Sequence, residues 1–188
     1  MNLAIFGGTF DPIHNAHLMV AREAAQKFHL DKVLFIPAAH PPHKPEVGGD
    51  DYHHRLRMVE LACGGERLFE ASSLESGSAQ SYSIDTIEKL RATLGPDDRL
   101  FFVIGADAFA DITTWHRWKD VVADVEFIVV TRPGHEYSAP AEAHVHRLDT
   151  LALPVSSSEI RRQLADGESP SELPPKVLDY IRLNNLYM

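Results

Sequence analysis

Two histidines three residues apart, His14 and His17, follow a glycine turn, Gly7-Gly8-Thr9-Phe10-Asp11-Pro12, in a chain of 188 residues. The turn follows a short apolar run, Leu3 to Phe6, that reads as a buried strand. At a strand's carboxyl end, glycines let the backbone approach a phosphate closely. A helix opening near Asn15 would add unpaired N–H groups and the positive end of a dipole. Spacing three puts both histidines on one side of the loop and first helical turn. There they can stabilise negative charge growing on a phosphorus centre under attack without bonding to it. The plain structural alternative for so short a motif is a helix start with incidental histidines.

A second anion grip lies about 140 residues further on, in Ser156-Ser157-Ser158-Glu159-Ile160-Arg161. A cap at Ser156 or Ser157 opens a helix over Ile160 to Ala165, and hydroxyls, N–H groups and the forked guanidinium of Arg161 can together hold phosphate. Taken alone, the segment is also an ordinary capping box. Gly105-Ala106-Asp107 ends another predicted strand, so Asp107 either accepts bonds from a ribose at the same sheet edge or caps the next helix. Trp115 and Trp118 sit in the polar stretch Thr113 to Lys119, which predicts indoles only partly covered.

These groups need a scaffold that brings strand ends together. Apolar runs at Leu3 to Phe6, Val33 to Ile36, Leu100 to Ile104 and Phe127 to Val130 barely alternate, as in parallel strands covered on both faces. Between them Leu18, Ala21, Ala25 and Phe28 share one helical face, and Ile84, Ile87, Leu90 and Leu94 share another. The alternation predicts an α/β fold, a Rossmann-like doubly wound parallel sheet in a single domain spanning 1–188, with helices at the carboxyl end. Pro37 to Asp51 and Pro133 to Pro140 read as loops, and Pro174-Pro175 precede a final helix holding Val177, Leu178 and Ile181.

Hydrophobic residues at 44% and charged residues at 24% are ordinary for a globular chain. A formal net charge of −9 disfavours an extended nucleic-acid or anionic-membrane surface, so an anionic small molecule would need a local positive pocket. No apolar run is long enough to span a bilayer and no signal peptide opens the chain, which makes the cytoplasm the default location. Composition leaves an oligomer open. Cys63 is the single cysteine and reads as a small packed residue. His40, His43, His53 and His54 cluster in or beside one loop but lack the spacing of a zinc site, so no protein metal cage is expected. Lys44 in the same loop reads as a cation for substrate phosphate.

The glycine turn with His14 and His17, together with the distant Ser156 to Arg161 segment, resembles the two signatures of the HxGH nucleotidyltransferases. Pro41-Pro42-His43-Lys44, Tyr82-Ser83-Ile84-Asp85-Thr86-Ile87, Gly105-Ala106-Asp107 with Trp115, and Arg132-Pro133-Gly134 are similar to one branch, the bacterial nicotinate-nucleotide adenylyltransferases. The resemblance runs from the first strand to Tyr180–Tyr187. It implies adenylyl transfer from ATP to nicotinate mononucleotide, with His14 and His17 at the α-phosphate and Ser157, Ser158 and Arg161 on the β- and γ-phosphates. It further implies ATP contacts at Gly7, Gly8, Thr9, Phe10, Gly105, Asp107, Arg132 and Ile160. Lys44, Ser83, Thr86, Trp115 and His116 would take the nicotinate nucleotide, with Trp115 stacked on its ring. Mg²⁺ would enter with ATP on few protein ligands. One position departs from the pattern, which usually has glycine between the histidines where this chain has Ala16. Another HxGH transferase with a phosphopantetheine or cytidylyl acceptor, or a non-catalytic nucleotide-binding regulator, are the rival readings.

Overall fold

Strand β1 (Asn2–Gly8) places Leu3 and Ile5 on one side and Ala4 and Phe6 on the other, and apolar groups wait on both. This follows from a computed structural model, in which residues 1–40, 49–151 and 155–188 are described. The following elements are α1 (Asn15–Lys27), β2 (Lys32–Pro37), α2 (Gly49–Cys63), β3 (Phe69–Ala71), α3 (Ser83–Arg91), β4 (Arg99–Gly105) and α4 (Ala106–Ala110). After a 3₁₀ turn at Ile112–Thr114 come α5 (Trp118–Asp124), β5 (Glu126–Thr131), β6 (His144–Asp149), α6 (Ser157–Ala165) and α7 (Pro175–Leu183).

The six strands lie in the order β3-β2-β1-β4-β5-β6, and every neighbouring pair is parallel. Val33, Phe35, Phe101, Val103 and Ile128 face α1, α2, α6 and α7, where Leu18, Met58, Ile160 and Ile181 are buried against them. Leu34, Ile36, Phe102, Ile104, Phe127 and Val129 point the opposite way, onto Ile84, Ile87, Phe109 and Val121. A sheet buried on both faces is what the unbroken apolar runs require, and the α/β doubly wound architecture is as expected.

Several boundaries differ from the sequence expectation. Residues 49–51 already belong to α2, so the loop read as Pro37 to Asp51 is shorter at that end. Lys44 and His43 lie outside the described residues. Two strands were not anticipated. Only three residues long, β3 sits at one edge, whereas β6 at the other edge carries His144, His146 and Arg147 among its six residues. Edge strands tolerate such charge because one side stays in water. Among the described residues no helix is long and apolar enough to cross a membrane.

This order reverses direction between β1 and β4, and a crevice opens beyond the carboxyl ends of those two strands. The glycine turn leaves β1 there, and Gly105–Asp107 leaves β4 beside it.

Candidate active site

Beyond the ends of β1 and β4 lie two adjoining cavities that share Phe6, Thr9 and Gly105 in their walls. The larger, about 1070 Å³, is lined by Phe10, His14, His17, Asp107, Arg132, Ser157, Ser158 and Arg161. The smaller, about 310 Å³, is lined by Gly7, Gly8, Ser83, Thr86 and Trp115. The site residues expected from two distant parts of the sequence therefore meet around one crevice.

His14 precedes α1 in extended conformation, and its N–H donates to His17 Nδ1 at 3.2 Å. That bond leaves the proton of neutral His17 on Nε2, as a donor. The two imidazoles stack with centroids 3.7 Å apart, and His17 packs edge-on against Phe6 and Phe10. Burial brings His14 down to about 4 despite the opposing charge of Glu172. Burial also holds His17 well below the usual imidazole range, with His14 adding to the effect. Both rings are therefore neutral near pH 7 and act as hydrogen-bonding groups. His14 Nδ1 is buried without a partner among the described residues.

Helix α6 docks directly onto the glycine turn. Ser156 is its cap, accepting from the Glu159 N–H at 3.1 Å. Ser157 Oγ donates to the Pro12 carbonyl at 2.9 Å, and Arg161 Nη1 donates to the Asp11 carbonyl at 2.7 Å. Arg161 Nη2 reaches Ser158 Oγ at 3.3 Å. Two hydroxyls, a guanidinium and the first N–H groups of α6 thus stand across the crevice from the histidines, an arrangement suited to the outer phosphates of a nucleotide.

Some expected contacts have a different physical basis. A Cβ on Gly8 would come within 3.1 Å of the Phe10 ring, so glycine there makes room for a side chain of the turn itself. Phe10 is buried with φ +49, a left-handed conformation that turns the chain from β1 towards the histidines. The Asn15 N–H donates to the Glu172 carbonyl at 2.7 Å and is not free for an anion. Ile160 is buried in the core, and its N–H donates to the Ser156 carbonyl at 3.1 Å. Asp107 stands in the first turn of α4 on the wall of the larger cavity, and Gly105 takes the cap position. His116 is exposed and stacks on Tyr82 at 4.3 Å, outside both cavity walls. Ala16 is an ordinary helical residue of α1 without positive φ, so its methyl is accommodated.

Two site residues escaped the sequence reading. Arg55 on α2 is fully buried, donates from Nη1 to the Thr9 carbonyl at 2.7 Å and lies over the Tyr52 ring. It fixes the turn where the two cavities meet. Its signal was a charge on the same helical stripe as Tyr52, Met58 and Val59. Glu75, buried on the wall of the smaller cavity, lies in a serine-rich loop and gave no such signal.

The sequence model of the cytidylyltransferase-like family matches residues 5–163. The chain is 63% identical to a probable nicotinate-nucleotide adenylyltransferase of Solibacter usitatus over 187 residues, covering all of both chains. It is 40% identical to the corresponding protein of Pelobacter propionicus over 213 residues, all of this chain and 98% of the other. Among solved structures it is similar to Plasmodium falciparum nicotinic acid mononucleotide adenylyltransferase complexed with NaAD. That likeness has a TM-score of 0.80 at 23% identity, over 99% of this chain and 97% of the other, and it speaks to the fold alone.

Proposed function

Because the chain belongs to the nicotinate-nucleotide adenylyltransferases within the cytidylyltransferase-like family, we propose that it transfers the adenylyl group of ATP to nicotinate mononucleotide, giving deamido-NAD and pyrophosphate. A phosphate oxygen of the mononucleotide attacks the α-phosphorus of ATP in line. The bond from that phosphorus to the α–β bridging oxygen breaks as the new one forms. The enzyme needs no nucleophile of its own, so its work is positioning and electrostatics.

The observation that carries this reading is the meeting of two cavities at Thr9, one lined by His14, His17, Ser157 and Arg161 and the other by Thr86 and Trp115. ATP occupies the larger, with Asp107 at its ribose and Arg132 at the cleft wall. His14 and His17 donate to the α-phosphate oxygens, His17 from its Nε2–H as a neutral imidazole, and the phosphate charge favours a second proton on His14 alone. Ser157, Ser158 and Arg161 hold the leaving pyrophosphate. The nicotinate ring enters the smaller cavity against Trp115, with its carboxylate at the amino-terminal turn of α3, Ser83 to Thr86. Aromatic walls suit the ring, and N–H donors suit a group that accepts bonds only.

Among the described residues no three His, Cys, Asp or Glu side chains are grouped to cage a metal. Mg²⁺ would arrive with the triphosphate, and Asp107 and Ser158 on the wall of the larger cavity are the oxygen donors that would help hold it. When bound it supplies neutralisation of the phosphate charge. We place the reaction in the cytoplasm, where ATP and the mononucleotide are available.

The test is to supply ATP and Mg²⁺ with nicotinate mononucleotide, nicotinamide mononucleotide or phosphopantetheine, and to identify the product by mass. Deamido-NAD with equimolar pyrophosphate is expected, with nicotinate far preferred. Pyrophosphate release with phosphopantetheine alone would assign the chain to another acceptor.

A further inference from the structure

Among the described residues Glu75 is the single ionisable side chain on the wall of the smaller cavity, beside Ile5, Ile36, Phe102 and Trp115. It is 8% exposed. The Thr86 hydroxyl donates to its Oε1 at 3.0 Å, and its Oε2 is buried without a partner among the described residues. A buried carboxyl beside the threonine assigned to a substrate carboxylate poses a charge conflict, because two like charges in one apolar site cannot both be held cheaply.

Resting on the nicotinate reading of this cavity, we propose that Glu75 is the specificity-positioning residue of the ring subsite. As a neutral acid it braces Thr86 and admits a ring carboxylate, and as a carboxylate it excludes one. Binding nicotinate mononucleotide to the ionised form then takes up one proton from solvent, which resides on Glu75, and no bond of the nucleotide changes. A carboxamide ring carries no charge and takes up none. An acid kept neutral by an apolar site is a recognised way to place a donor beside an anion.

The groups around Glu75 act in both directions. Burial raises its proton affinity, and the Thr86 hydroxyl and the charge of Lys89 of α3 oppose that. From α2, Tyr52 faces it, and the Tyr52 phenol is itself pushed up by burial first and then by the Glu75 charge.

The experiment is KM for nicotinate mononucleotide from pH 6.5 to 9.5 at saturating MgATP, for wild type and Glu75→Gln. Wild type should lose affinity tenfold per pH unit above the Glu75 midpoint. In Glu75→Gln that slope should vanish, with KM staying within about threefold of the wild-type low-pH value, since a neutral amide keeps an acceptor for Thr86. A wild-type profile without slope, or the same slope in both proteins, overturns the proposal. If Glu75→Gln does not fold, Lys89→Met decides, because losing that exposed charge should move the wild-type midpoint upward, and an unmoved midpoint overturns it. No deamido-NAD at any pH from folded wild type would instead overturn the acceptor assignment beneath it.

Discussion

Arg161 Nη1 donates to the main-chain carbonyl of Asp11 at 2.7 Å, and its guanidinium stands 3.8 Å from the Asp11 carboxylate, which also accepts from the Tyr187 hydroxyl. The phosphate grip of α6 is thus fastened to the turn that carries the histidines, so the two halves of the triphosphate site keep a fixed spacing. Lysine lacks the fork whose two nitrogens reach the Asp11 carbonyl and Ser158 separately. Arg161→Lys should therefore raise KM for ATP by roughly 10- to 100-fold, as for losing one charged hydrogen bond. The melting temperature should stay within about 2 °C, since this is a half-exposed contact. Steady-state kinetics with calorimetry checks both.

The depressed His14 value has a consequence for stability. An unfolded imidazole titrates near 6.5 and folded His14 at about 4, so between those values the unfolded chain holds the extra proton. The contribution is complete above 6.5 and is lost as the pH falls towards 4. By pH 5 this amounts to about 2 kcal/mol, and His17 acts in the same direction. Between pH 7 and 5 wild type should lose roughly 4–8 °C more in melting temperature than His14→Asn. Parallel melting curves for the two proteins would place the burial of His14 in error.

Trp115 packs edge-on against Phe102 at 5.8 Å and is half-buried, which leaves part of the indole free for a ring in the smaller cavity. Trp115→Ala should raise KM for nicotinate mononucleotide about tenfold through lost stacking and apolar contact. KM for ATP should be nearly unchanged. Equal effects on both substrates would separate Trp115 from the acceptor subsite.

Where the sequence was legible, the reason was physical. Central strands β1, β2, β4 and β5 are covered on both faces, and that requirement writes itself as unbroken apolar runs from Leu3, Val33, Leu100 and Phe127. His14 with His17, and Ser157 with Arg161, were legible because each pair sits within one turn of chain. β6 was not, because an edge position lets His144 and Arg147 interrupt the apolar pattern. The demand of the Phe10 ring on Gly8 was not legible, because that ring meets the glycine only once the turn is folded. Arg55 and Glu75 escaped for a related reason. Their partners, the Thr9 carbonyl and the Thr86 hydroxyl, lie 46 and 11 residues away.

The central claim is that the stacked imidazoles act on the phosphorus being transferred. Turnover of His17→Ala with ATP, Mg²⁺ and nicotinate mononucleotide tests it most directly, in protein whose circular dichroism matches wild type. A fall in kcat of about 10² to 10⁴ is predicted, with a milder change in KM for ATP and the same dinucleotide product. Wild-type kcat in that variant would contradict it.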